Sequence, residues 1–179
     1  ELLKVIGIAK NDKNIPVTCL KITGIGRLTT LAKASSNNLD EKTKADLDVI
    51  KNRLDIICNA CLENDTPIYI DAEESWIQTT IDELTYEMMA RYNQETAIIY
   101  NTFQMYRHDM LANLSEAIGA AEAKNYYLGV KLVRGAYLEK ERQKAHEDEY
   151  SEPLHVTKED TDRDYDSGVE LCLKNIERV

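Results

Sequence analysis

Repeated strand–helix units around a parallel sheet, an α/β fold, are what this sequence predicts, on three observations. Four short runs rich in β-branched and apolar residues recur along the chain. Segments of helical length and helical apolar spacing separate them, the pattern of right-handed βα units. Nearly every run also ends in a polar or charged residue, and parallel strands gather such ends at one face.

The first strand is expected at residues 16–23, running into the tight turn Gly24-Ile25-Gly26. A helix follows at 44–62, carrying Ala45, Leu47, Val49, Ile50, Leu54, Ile57 and Cys58 at helical intervals. Residues 67–71 form the second strand. The next helix, 75–92, carries Trp76, Ile77, Thr80, Ile81, Leu84, Met88 and Met89. A third strand at 96–101 leads to a helix at 106–123 with Met110, Leu111, Leu114, Ala117, Ile118 and Ala121. The fourth strand, 127–134, is closed by Gly135. Beyond it, 140–149 reads as a solvated helix face ended by Pro153, and 154–166 as a charged surface connection before a helix resumes at Val169.

Composition narrows the function. The 32 acidic and 22 basic side chains give a formal charge of −10, and no basic run or basic-aromatic stripe offsets it, so nucleic acid is not an expected partner. The longest apolar stretches, 97–100 and 126–130, fall far short of the roughly 20 residues of a spanning helix. The opening residues lack the pattern of a secretory signal. His108, His146 and His155 have no metal-ligand spacing, so no metal is expected. Cys58 and Cys61 form a CxxC inside a helical pattern and read as reduced core thiols, a weak pointer to a reducing compartment.

Glycine placement speaks against an open dinucleotide-binding sheet. Gly24 and Gly26 follow a strand, but Arg27, Leu28 and Thr29 come next, and the third glycine of that fingerprint is absent. The strand ends instead carry Lys21, Asp71, Asn101, Gln104, Lys131 and Arg134, groups that a barrel would bring to one face. Lys21 sits among apolar residues and is expected to point into the barrel mouth or to solvent at the strand end, as a partner for an acid or an anionic ligand. Asp71 reads equally as a helix-capping acid with Glu73 and Glu74, or as a functional carboxylate. Lys131 and Val133 share one side of their strand; Arg134 takes the other unless the chain turns at Gly135. On residues alone the chain is an enzyme-like α/β unit. A non-catalytic interaction or structural domain and a phosphate-handling barrel both stay open.

Four blocks add a specific resemblance. Residues 20–23 (Leu-Lys-Ile-Thr), 70–76 (Ile-Asp-Ala-Glu-Glu-Ser-Trp), 100–106 (Tyr-Asn-Thr-Phe-Gln-Met-Tyr) and above all 130–139 (Val-Lys-Leu-Val-Arg-Gly-Ala-Tyr-Leu-Glu) resemble, in order, segments of the proline dehydrogenase family. The resemblance implies a TIM-like (β/α)8 barrel, of which residues 1–179 supply the central part, roughly strands three to six with their helices and no second domain. It implies FAD as cofactor, oxidation of L-proline to Δ1-pyrroline-5-carboxylate, and a quinone as electron acceptor. A eukaryotic-looking member is further expected in the mitochondrion, on the matrix side of the inner membrane, with peripheral contact with that membrane.

For single residues, the resemblance implies that Lys21 helps hold the substrate carboxylate and interacts with Asp71, and that Tyr137 contributes to the proline pocket. Gln104 would contact the flavin, Lys131 would lie near its reactive edge, and Val133, Gly135 and Ala136 would form the adjacent wall. Lysine at 131 departs from the arginine common in bacterial members, keeping the charge but losing the planar fork. The family usually completes its carboxylate clamp with an arginine pair in a tyrosine-led motif, and this sequence has no Arg-Arg dipeptide. The isolated chain is therefore expected to bind FAD weakly and to lack useful activity.

Overall fold

A computed structural model describes residues 1–10 and 12–179. The order of elements is α1 (Leu2–Ala9), β1 (Thr18–Leu20), a single 3-10 turn (Ile22–Gly24), α2 (Leu28–Ser35), α3 (Glu41–Glu63), β2 (Ile68–Ile70), α4 (Ser75–Tyr92), β3 (Ile99–Gln104), α5 (Met110–Ala123), β4 (Gly129–Val133), α6 (Leu138–Glu147) and α7 (Lys158–Lys174). The four strands pair in sequence order, and every pairing is parallel. The expected βα repeat is thus present, each strand reached from the last by a helical crossover.

Register explains the two faces of the sheet. Leu20, Ile70, Asn101 and Val130 lie abreast, as do Cys19, Tyr69, Tyr100 and Gly129. Leu20, Ile68, Ile70, Ile99 and Phe103 are buried and join one core with Ile77, Ile81, Leu84 and Met88 of α4 and Leu114 and Ile118 of α5. Residues of opposite parity, Cys19, Tyr69, Asp71, Tyr100 and Lys131, are partly or fully exposed on the other face. Because side chains alternate along a strand, the apolar set builds the helix-packed layer and the polar set is left on the concave side.

Some boundaries differ from the sequence reading. β1 stops at Leu20, so Lys21 is extended and opens the 3-10 turn. β3 lies three residues later than expected, which puts Asn101 and Gln104 inside the strand. The charged segment at 158–166 is helical, because Thr157 caps it by accepting the Asp160 N–H at 3.1 Å and side chains three or four apart pair along it. Its poor apolar periodicity hid a helix laced by ion pairs. Cys58 and Cys61 are buried free thiols of α3, and desolvation pushes Cys61 up to about 11. At the other end of the strands, the buried amide of Asn93 bonds the backbone of Ile98, Ile99 and Tyr127, tying α4 to β3 and β4.

Candidate active site

The C-terminal ends of β1 to β4 enclose a cavity of about 260 Å³. Lys21, Asp71, Gln104, Lys131, Val133, Gly135, Ala136 and Tyr137, all singled out from the sequence, line it, together with Ala72, Thr102 and Arg134. Parallel pairing is the cause: each strand delivers its last polar residue to the same edge.

Two hydrogen-bonded pairs organise the cavity. Lys131 on β4 donates to the Asp71 carboxylate at 2.6 Å, and its ammonium lies 5.4 Å from the centre of the Tyr69 ring. Tyr69 is held in turn by edge-on contact with Tyr100, ring centres 5.3 Å apart. Lys21 donates to the Tyr137 hydroxyl at 3.0 Å. That hydrogen bond, with the fields of Tyr137, Glu73 and Asp71, raises the Lys21 ammonium above the ordinary lysine value despite some desolvation, so this group is a fixed cation.

The pairing differs from the expected one. Lys21 and Asp71 share the cavity, but Asp71 bonds Lys131 while Lys21 bonds Tyr137. Strand order alone would favour Lys21, since β1 borders β2 and β4 does not; Lys131 reaches Asp71 across β3 on the concave side, whereas Lys21 lies beyond the end of β1 and bonds Tyr137 in the loop after β4. Asp71 does not cap α4 either. Glu74 stands at the N-cap without a side-chain cap bond, and Glu141 of α6, fully buried, accepts both the N–H and the hydroxyl of Ser75 at 2.6 Å.

Gln104 is 3% exposed and joins two loops: its amide N–H donates to the Glu73 carbonyl at 2.8 Å, and its oxygen accepts the Ala136 N–H at 3.4 Å. Gly135 has φ +137°, and a Cβ there would meet the Tyr106 ring at 2.3 Å, so the chain turns after Val133 in a way only glycine allows. The turn also aims Arg134 sideways, where it pairs with Asp162 and stacks 4.4 Å from the Tyr165 ring centre. Lys140 pairs with the buried Glu74 at 2.8 Å and lies 5.5 Å from the Tyr137 ring centre, with Lys21 at the same distance from that ring.

A second cavity, about 220 Å³, shares Arg134 and Gly135 with the first and is lined further by Tyr106, Arg142, His155, Thr157 and Lys158. It opens at the N-terminus of α7, and its cations are paired with acids, Arg134 and Lys158 with Asp162 and Arg142 with Glu152. Residues 155–158 fall in the stretch read from sequence as a surface connection. The capping pattern Thr-x-x-Asp at 157–160 was the signal that could have located them.

A family profile described as proline dehydrogenase matches residues 7–179. Proline dehydrogenase 1, mitochondrial, of Drosophila melanogaster is 37% identical over 124 residues, covering 69% of this chain and 18% of the fly protein. The human protein of that name is 34% identical over 124 residues, covering 69% of this chain and 21% of its own length. A carbapenem antibiotics biosynthesis protein, CarD, of Pectobacterium carotovorum is 29% identical over 178 residues, covering 99% of this chain and 46% of that protein. The chain thus spans less than half of these relatives. A crystal structure of proline utilization A from Bdellovibrio bacteriovorus, inactivated by N-propargylglycine, superposes with a TM-score of 0.82 at 17% identity, covering 99% of this chain and 19% of that one. At that identity the likeness speaks for the fold, and the four parallel strands are an arc of a (β/α)8 barrel.

Proposed function

The chain belongs to the proline dehydrogenase family, and from that premise we propose that its strand-end cavity is where the parent protein oxidises L-proline to Δ1-pyrroline-5-carboxylate with FAD. The observation that carries this reading is the gathering of Lys21, Asp71, Gln104, Lys131, Val133, Gly135, Ala136 and Tyr137 around one cavity.

The residues present fit a flavin dinucleotide. Val133, Gly135 and Ala136 make a thin wall at which a planar ring can approach backbone. Lys131 supplies positive charge beside that wall. The adjoining cavity at the start of α7 is where a phosphate-bearing tail would lie, taking Arg134 and Lys158 in place of their present partner Asp162. When bound, FAD would supply the two-electron acceptor for the hydride equivalent that leaves C5 of proline, the nitrogen having first given its proton to solvent.

The chain's own residues orient the substrate. The Lys21 ammonium binds the proline carboxylate, and Tyr137, bonded to Lys21, forms one side of the pocket. Asp71 is an organising anion that holds Lys131 in place, and no proton abstraction is required of it. Hydride transfer needs the reacting atoms in near-attack geometry, and four loops tied together by hydrogen bonds provide that rigidity. Electrons pass onward to a quinone. The names of the fly and human relatives support a mitochondrial location; the matrix side of the inner membrane, with peripheral membrane contact, is the further part of this proposal. Among the described residues, four strands with unpaired edges at β1 and β4 do not enclose a barrel lumen, so the 179-residue stretch alone holds flavin weakly and is inactive.

Anaerobic addition of L-proline to the full-length parent tests this reading. Bleaching of the oxidised-flavin band is the expected result, and a parent that carries no flavin would overturn it.

A further inference from the structure

We infer that Glu73 is a positioning residue, which ties the loop bearing Lys21 to the loop bearing Asp71 and, through Gln104, to the loop bearing Tyr137. The inference rests on reading the cavity as the proline site. Glu73 is 3% exposed, and among the described residues no lysine or arginine pairs with it. A buried carboxylate without a cation needs donors from the surrounding fold.

Those donors come from the other loops. The Glu73 carboxylate accepts the backbone N–H of Thr23 at 3.0 Å and also the Thr23 hydroxyl. Thr23 lies in the 3-10 turn, two residues beyond Lys21. The Glu73 backbone N–H donates to Gln78 of α4 at 2.8 Å, and its carbonyl accepts from Gln104 at 2.8 Å. Gln104 accepts the Ala136 N–H, next to Tyr137. Gln78 and Asn101 both donate to Asp82 at 2.8 Å, which anchors the chain of bonds to α4 and β3.

One residue therefore connects the loops after β1 and β2 with the end of β3 and, through it, the loop after β4. β1 and β2 are only three residues long, so few ladder bonds position the loops at their ends. The Lys21–Tyr137 bond spans the loops after β1 and β4, and Glu73 is bonded to the first directly and to the second through Gln104. An acid just ahead of a helix N-terminus ordinarily faces solvent; this one, preceding the N-cap Glu74, is turned inward to Thr23. Without it, the Thr23 N–H loses a buried acceptor and the turn carrying Lys21 is free to shift. A displacement of about 1 Å at a substrate-holding group is enough for a large loss.

The test uses the full-length parent with Glu73→Ala, Glu73→Gln, Thr23→Val and, as a stability control, Asn93→Ala at the opposite strand ends. Glu73→Ala should raise KM for L-proline tenfold or more with kcat within threefold, and Thr23→Val, which loses the hydroxyl bond but keeps the N–H bond, should raise it by less, about threefold to tenfold, with little further change when combined. Glu73→Gln should stay near wild type, since its amide oxygen still accepts the Thr23 N–H and its NH2 can donate to the hydroxyl. Asn93→Ala should lower Tm without moving KM. A KM within twofold of wild type in both Glu73→Ala and Thr23→Val, or Glu73→Gln behaving like Glu73→Ala, overturns the inference. Amide hydrogen exchange without proline separates this from failure of the proposed function. Loss of protection at Thr23 in Glu73→Ala, with Ala136 kept because Gln104 holds the Glu73 backbone carbonyl, supports the positioning role even in a parent that proline does not reduce, and unchanged protection at Thr23 refutes it.

Discussion

Breaking the Lys131–Asp71 pair tests the arrangement of charge in the cavity most sharply. At the observed 2.6 Å, Coulomb's law gives about 6 kcal/mol for an effective dielectric near 20 and about 1.6 kcal/mol in bulk water. The two side chains are 29% and 25% exposed, so lost hydration offsets much of the gross attraction. A net coupling of about 1.5–3 kcal/mol remains, the range of hydrogen bonds to charged groups. In a double-mutant cycle with Asp71→Ala and Lys131→Met in the full-length parent, the combined loss of kcat/KM for L-proline should therefore fall short of the product of the single losses by about tenfold or more. The companion cycle, Asp71→Ala with Lys21→Met, should be additive within about threefold, because Lys21 is bonded to Tyr137 instead. Coupling in the second cycle and additivity in the first would show that Asp71 serves Lys21 and not Lys131.

Other expectations rest on single features. Gly135→Ala should cost roughly 2 kcal/mol or more of stability, from its positive φ and the clash with Tyr106, while Gly7→Ala, with open space around it, leaves Tm unchanged or slightly raised. Glu141→Ala removes the acceptor for both donors of Ser75 and should cost about 1–3 kcal/mol in thermal unfolding; a Tm within a degree of wild type would refute its capping role. Desolvation pushes the Asp82 carboxyl up to about 6 although Asn101 and Gln78 donate to it. Its folded value lies above the unfolded one, so the ionised form is the disfavoured one and stability falls as pH rises from about 4 to about 6. Asp82→Asn should then raise Tm at pH 7, with the gain vanishing near pH 4; a gain that persists at low pH contradicts the assignment. The isolated 179-residue chain should retain little flavin on gel filtration, and robust reduction by L-proline in that chain would overturn the proposal that it is inactive alone.

The parts of the fold legible in the sequence are those with strong periodicity. Residues 75–92 appear as α4 with the expected bounds because Ile77, Ile81, Leu84 and Met88 fall on one helical stripe. The short apolar runs located every strand, yet their ends slipped by up to three residues, since a β-strand boundary depends on its neighbour's register and not on its own residues. α7 was half missed because ion pairs and a threonine cap build its first turns, where apolar spacing carries no signal.

The lining of the strand-end cavity was legible in its members and less so in its wiring. The polar strand ends Lys21, Asp71, Gln104 and Lys131 stand out against apolar neighbours, and family blocks added Tyr137 and the Val133–Ala136 wall. Which cation meets which anion depends on reach across the concave face and on where β1 stops, three-dimensional facts without a trace in local sequence. Glu141 sat inside an apparently solvated run, Lys140 to Glu149, and nothing there distinguished the one carboxylate that is buried. Glu73 likewise read as one acid of three, and only its contacts single it out.

The claim that this cavity receives proline stands or falls most directly on rapid-mixing measurement of flavin reduction by L-proline in the full-length parent and its Lys21→Met variant. If Lys21 holds the substrate carboxylate, the proline concentration for half-maximal reduction rate rises at least tenfold in the variant, while the limiting rate changes by only a few-fold. An unchanged concentration dependence in a flavin-loaded variant would place proline elsewhere and contradict the account.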